Sequence, residues 1–155
     1  MKHIRTSSFT HLPIARLAAA ILMLTVFGLA LAGSMTPFKG WGSATVIGVN
    51  VQPTYTELTI AGTGQSTHLG RFSRLEVLQI NGTGGVSGTI VFTAANGDTL
   101  TVSVAGQFVS ATDVVGTYAV TSGTGRFAAS TGGADFTAQS LDGIHVTFRF
   151  DGAIS

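Results

Sequence analysis

What most constrains this chain is a two-residue alternation of apolar and small polar side chains, broken about every ten residues by Gly, Asn, Asp or Pro. Between Thr99 and Phe108, the residues Leu100, Val102, Val104 and Phe108 fall on one face, with Thr99, Thr101, Ser103 and Gln107 on the other. Successive side chains of an extended chain point to opposite sides, so a period of two predicts strands. Val146, Phe148 and Phe150 repeat the pattern opposite His145, Thr147, Arg149 and Asp151. Beyond residue 32, glycine fills 20 of 123 positions and threonine 19, which excludes long helices as the main material. Leu, Ile, Val and Phe supply 33 of the same 123, enough for a packed core.

Turn signals set the strand number. Asn96-Gly97-Asp98 is the strongest, because a tight hairpin turn needs positive φ and Asn-Gly adopts it at little cost. Asn81-Gly82-Thr83-Gly84-Gly85, Ser122-Gly123-Thr124-Gly125, Thr131-Gly132-Gly133 and Asp142-Gly143 mark further reversals. Eight strands are predicted, near 41–51, 55–67, 70–80, 86–95, 99–110, 114–122, 126–140 with a break at the glycine pair, and 144–152. Short connections make successive strands antiparallel neighbours, and a sheet of that size curls and closes, which removes its edges. The expected fold is therefore all-β, an eight-stranded antiparallel up-and-down barrel.

The first 32 residues have another character. Lys2, Arg5 and Arg16 precede an uncharged run from Leu17 to Ala32 that ends Ala30-Leu31-Ala32, the pattern of a secretory signal peptide. A retained anchor is the alternative, but an uncharged run of 16 residues falls short of the ~20 needed to cross a bilayer. The expected organisation is a signal peptide over 1–32, a linker over 33–39 and a barrel over 40–155, secreted or held in the periplasm or cell envelope, with no transmembrane span once processed. The chain has no cysteine, so neither disulfides nor a thiolate nucleophile contributes. Past residue 32, five Lys and Arg face seven Asp and Glu, a formal charge of −2 against +1 for the whole chain. That leaves no basic face for nucleic acid.

Two other β architectures fit less well. Gly-Thr-Gly recurs at 62, 82 and 123, but spacings of 20 and 41 fit no fixed repeat, against a β-helix. An outer-membrane barrel would need aromatic girdles, whereas Trp41, Tyr55 and Tyr118 are the only Trp and Tyr in the chain.

Gly123-Thr124-Gly125-Arg126-Phe127, with Gly132 after the next short stretch, resembles the G-T-G-[KR]-F hairpin of plant dirigent proteins. Allene oxide cyclase barrels and their bacterial relatives carry similar glycine-rich hairpins. The order of Thr67-His68-Leu69-Gly70-Arg71-Phe72, then Asn96-Gly97-Asp98, then the glycine-rich hairpin and two closing strands is similar to that family over 40–155. The resemblance implies a calycin-like barrel with an apolar pocket at one mouth, and a homo-oligomer, the plant members often being trimers. Departures are Ser122, where the dirigent pattern has Gly, and Thr131, where it has Arg. No family site residue maps onto this chain.

Residues able to carry chemistry are few. The Gly-Thr-Gly stretches lie between strands, so they read as turns rather than phosphate loops, which need a following helix. His68, Asp135, His145 and Arg149 are the candidate catalytic residues: a His and a carboxylate at a barrel mouth can transfer protons near neutral pH. The competing reading is a solvated polar face with ordinary cross-strand charge pairs. No G-x-S-x-G elbow occurs, and His68 and His145 are the only histidines past residue 32, so neither a serine hydrolase nor a bound metal or other cofactor is expected. Asn81-Gly82-Thr83 matches a glycosylation sequon, although the turn alone explains it.

The expected function is to hold a small apolar molecule or to serve as a structural module. The alternative is a cofactor-free cyclase or isomerase acting on a small hydrophobic substrate. The last strand discriminates between them: Val146, Phe148 and Phe150 filling the lumen argue against chemistry there, and His145 and Arg149 pointing inward argue for it.

Overall fold

In a computed structural model that describes residues 34–155, the chain closes into a barrel of eight antiparallel strands in sequence order. They are β1 (Thr36–Val51), β2 (Tyr55–Ser66), β3 (Gly70–Asn81), β4 (Gly85–Ala94), β5 (Thr99–Phe108), β6 (Asp113–Gly123), β7 (Gly132–Gln139) and β8 (His145–Ile154). Closure comes from β8 pairing with β1, in register from Thr36 opposite Ile154 to Thr45 opposite His145. Every strand therefore has two neighbours and the sheet has no free edge. The expected signal peptide lies outside the described residues.

The predicted barrel matches this architecture, with three local differences. Gly62-Thr63-Gly64, read as a turn, runs within β2, where Gly62 and Gly64 let the β1 backbone approach closely. Residues 36–39, expected in a linker, belong to β1, because Phe38 is fully buried and Pro37 stands opposite Ala153 on β8. Residues 126–131, expected as strand, form a 3-10 turn at Gly125–Phe127 and a loop before β7. Gly125, at φ +54°, brings the turn against Asp98, whose Oδ2 accepts from the Arg126 backbone N–H at 3.3 Å. Phe127 is then buried, and Arg126 Nη2 donates to the carbonyls of His68 and Leu69 at 3.3 and 3.4 Å. An aromatic side chain seated on the end of the barrel breaks the alternation here.

The two ends of the barrel differ. At the end reached by the β2–β3, β4–β5 and β6–β7 connections, Phe38, Leu69, Phe92, Leu100, Phe127 and Ile154 are almost wholly buried. Rings interlock: Phe38 and Phe150 have centroids 4.6 Å apart, and Phe72 meets Phe92 edge-on at 5.2 Å. Such pairs add ~0.5–1.5 kcal/mol each beyond area burial. Space for the rings comes from inward glycines. A Cβ on Gly40 would stand 2.3 Å from the Phe150 ring, one on Gly42 2.6 Å from Phe148, and one on Gly64 2.5 Å from Phe72. Asn81 stabilises the β3–β4 turn, its Oδ1 accepting from the Thr83 and Gly85 backbone N–H groups at 3.0 and 2.9 Å.

Most inward positions are apolar, while Lys39, Arg71, Asp135 and Arg149 face out among exposed apolar residues such as Trp41, Leu75 and Val77. No helix among the described residues is long and apolar enough to cross a membrane.

Candidate functional site: an apolar cavity with a buried ion pair

The end away from the phenylalanine cluster encloses a cavity of about 530 Å³. Its walls are mainly apolar, among them Leu58, Ile60, Leu78, Ile90, Val104 and Val146. Residues of the β5–β6 and β7–β8 turns, including Thr112, Ser140 and Leu141, form its mouth. Val146, Phe148 and Phe150 are the inward face of β8, with Val146 lining the cavity, and this argues against chemistry in the lumen by His145 and Arg149, which face out.

Besides Thr112, Gln139 and Ser140 near the mouth, three polar side chains interrupt this lining: Arg74 and Glu76 from β3, and Tyr118 from β6. Phe72, Arg74, Glu76, Leu78 and Ile80 share the inward parity of β3, so the backbone that buries the phenylalanine buries both charges as well. Arg74 Nε donates to Glu76 Oε1 at 2.6 Å, and Nη2 donates to the same oxygen. The side chains of both residues are 3% or less exposed. The Arg74 guanidinium also lies 3.7 Å above the Phe148 ring centre, a cation–π contact that fixes its plane. Two donors of Arg74 thus serve Glu76, while Nη1 is buried without a hydrogen-bond partner among the described residues. Tyr118 stacks on Phe136 with centroids 4.5 Å apart.

Burial sets the proton affinities. It holds the Glu76 carboxyl above its ordinary range, outweighing the charge and hydrogen bonds of Arg74. It pushes the Tyr118 hydroxyl up to about 12, Arg74 opposing the rise and Glu76 adding to it. Tyr118 therefore keeps its proton at neutral pH. The arrangement is an apolar chamber with an ion pair and a phenol in its wall.

The residues singled out from sequence stand elsewhere. His68 lies at the closed end, its ring 3.4 Å from Thr36 Oγ1. His145 is exposed at the start of β8, where its Nδ1 meets Asp142 Oδ2 at 2.6 Å. That contact and two backbone N–H donors hold the Asp142 carboxyl well below the usual range. Asp135 and Arg149 share a shallow groove on the outer wall with Lys39, Trp41 and Asp151. The fold thus gathers Asp135 and Arg149 in one place and leaves both histidines apart from them and from each other. Arg74 and Glu76 escape a sequence reading because Leu75 and Val77, which alternate with them, look like the inward set; both are exposed. The one available signal is that Phe72, Leu78 and Ile80 share the parity of the charges.

No protein-family model matches the chain, and no curated protein matches it. Among solved structures, it is similar to the pterocarpan synthase dirigent protein GePTS1, with a TM-score of 0.57. That match has 18% identity and covers 84% of this chain and 93% of the other. The chain has the dirigent barrel fold. At such identity the likeness shows the fold alone, in agreement with the resemblance carried by Gly123-Thr124-Gly125-Arg126-Phe127. Within the dirigent fold, that segment supplies the Phe127 plug described above.

Proposed function

We propose that this dirigent-fold protein is exported to the cell envelope or beyond and binds a small, mainly apolar molecule in the cavity at the open end of its barrel. The observation that carries the reading is the contrast between the two ends, one packed solid with aromatic rings, the other leaving about 530 Å³ lined by aliphatic side chains. Small-molecule sites are typically ~300–1,000 Å³, mostly apolar, with a few convergent polar groups. Arg74, Glu76 and Tyr118 are such a group. Mass spectrometry of the purified protein, native and then denatured, tests the reading: a stoichiometric small molecule released on denaturation supports it. A protein that carries nothing and binds no member of a panel of apolar probes overturns it.

A second reading, a cofactor-free cyclase or isomerase, draws support from Glu76. A buried carboxyl with raised proton affinity beside a protonated phenol can give and take a proton within reach of a bound substrate. Conversion of the co-purified molecule by the wild-type protein, lost in Glu76→Gln with binding retained, would favour this reading. Self-association, expected from the family resemblance, would use the outer wall, where Leu75 and Val77 are exposed; light scattering of the processed protein measures it.

A further inference from the structure

Exposed aliphatic side chains gather at the open end of the barrel. Ile47, Val49, Val51, Val109, Leu141 and Ile144 are all at least half exposed, and all lie in segments around the cavity mouth. Those segments adjoin one another. The Val46 N–H donates to the Ile144 carbonyl at 2.9 Å, which joins β1 to the β7–β8 turn. The Ser140 N–H donates to the Thr112 carbonyl at 2.9 Å, which joins that turn to the β5–β6 turn. An apolar crescent therefore follows three of the four connections at this end, with Leu141 and Val51 the most exposed, at 79% and 76%. Exposed aliphatic residues scattered singly need no explanation, but a contiguous group bordered by polar residues marks a docking surface.

Building on the cavity as a ligand site, we infer that this crescent docks on a bilayer of zwitterionic lipid, so that the mouth opens into the layer that holds the apolar ligand. The aliphatic side chains enter between the headgroups, while Asp142 and Thr112 among them keep the turn backbone at the wet surface.

Charge and composition identify the occupant. Among the described residues, the mouth segments carry Glu57, Asp113 and Asp142 and no outward Lys or Arg, whereas Lys39, Arg71 and Arg126 lie toward the closed end. An anionic lipid surface is repelled, the reverse of the basic faces that bind such membranes. A second copy placed mouth to mouth would set the three acids against their counterparts. The closed end of a second copy has the cations, but its turns at 67–69, 95–98 and 124–131 expose no large apolar residue to meet the crescent. A zwitterionic bilayer has no net charge to repel the acids and takes up the aliphatic groups.

The test is flotation with phosphatidylcholine vesicles of residues 34–155, within which the barrel closes on itself. The protein should float with the vesicles. Leu141→Ser and Val109→Ser should each weaken partitioning about tenfold, the size of burying one aliphatic side chain. Both positions are exposed turn residues, and circular dichroism checks that each variant is folded. Trp41→Ser, which removes an exposed apolar side chain from the outer wall, should change nothing. Adding phosphatidylglycerol to the vesicles should weaken binding, and salt should restore it. Absence of flotation, an equal loss in Trp41→Ser or a preference for phosphatidylglycerol overturns the inference. So does light scattering in which Leu141→Ser dissolves an oligomer of a protein that ignores vesicles. Uptake of a soluble apolar probe in vesicle-free buffer reads the cavity separately. Uptake without flotation overturns the docking alone; flotation through the crescent without uptake supports the docking and overturns the cavity reading.

Discussion

Arg74 and Glu76 stand two positions apart on β3, and their side chains meet on the inside of the wall, Nε 2.6 Å from Oε1. Both are almost wholly shielded from solvent, so neither charge can be removed alone without stranding the other. Glu76→Leu should therefore destabilise the fold by about 3–5 kcal/mol, the usual cost of breaking a buried pair on one side. Arg74→Met/Glu76→Leu should cost far less, since apolar replacement of both partners is often neutral. Urea denaturation of the three proteins measures the difference, and equal losses in single and double variants would contradict it.

Tyr118 makes the barrel sensitive to alkali. Its folded value of about 12 lies above the ordinary 10.0, so between those values the unfolded chain loses a proton that the folded chain keeps. Stability then falls as pH rises from 10 to 12, by roughly 2–3 kcal/mol in total from this residue. Tyr118→Phe should flatten that part of the curve relative to wild type in denaturation titrations. Glu76 acts in the same sense at lower pH: its raised proton affinity means that stability declines as pH climbs from 4.5 through its folded value.

Phe127 closes the end of the barrel opposite the cavity. It is 1% exposed and is held by the short turn it belongs to. Phe127→Ala should cost about 3–5 kcal/mol, the range for truncating a buried aromatic ring. Calorimetry would show the loss, and ligand binding at the far mouth should be retained by the folded fraction.

His145 and Arg149 offer the contrasting case. Both project from the outer wall, and the partner of His145 is an exposed carboxylate. Exposed ion pairs contribute little. His145→Ala and Arg149→Ala should leave both the denaturation midpoint and probe binding in the cavity unchanged. A loss of binding in either would place a working site on the outside of the barrel.

The barrel was legible because strand alternation and turn chemistry agree along most of the chain. Asn96-Gly97-Asp98 marks a turn in sequence and forms one in the fold, with Gly97 at φ +90°. On β8 alternation placed Val146, Phe148 and Phe150 on one face for the same reason, and the fold makes that face the inner one. Legibility fails in two places with separate physical causes. At Gly125–Phe127 a tertiary contact, the ring seating on the barrel end, overrides the local pattern. On β3 both faces carry apolar residues, so alternation cannot say which is inside, and a charged pair is buried beneath an exposed Leu75 and Val77. The pairing that offsets the cost of that burial is local in sequence, but its burial depends on the curvature of the whole sheet.

The inward glycines of β1 and the phenylalanines of β8 occupy one shared volume. Because a methyl group on Gly40 would run into the tip of the Phe150 ring, neither position can drift without its counterpart. Homologous chains should accordingly exchange these residues as couples, a larger side chain on one strand accompanied by a smaller one on the other. Where a descendant sequence instead shortens the phenylalanine and keeps the glycine, the interior should empty at that level, and the chamber now confined to one mouth should lengthen toward the other.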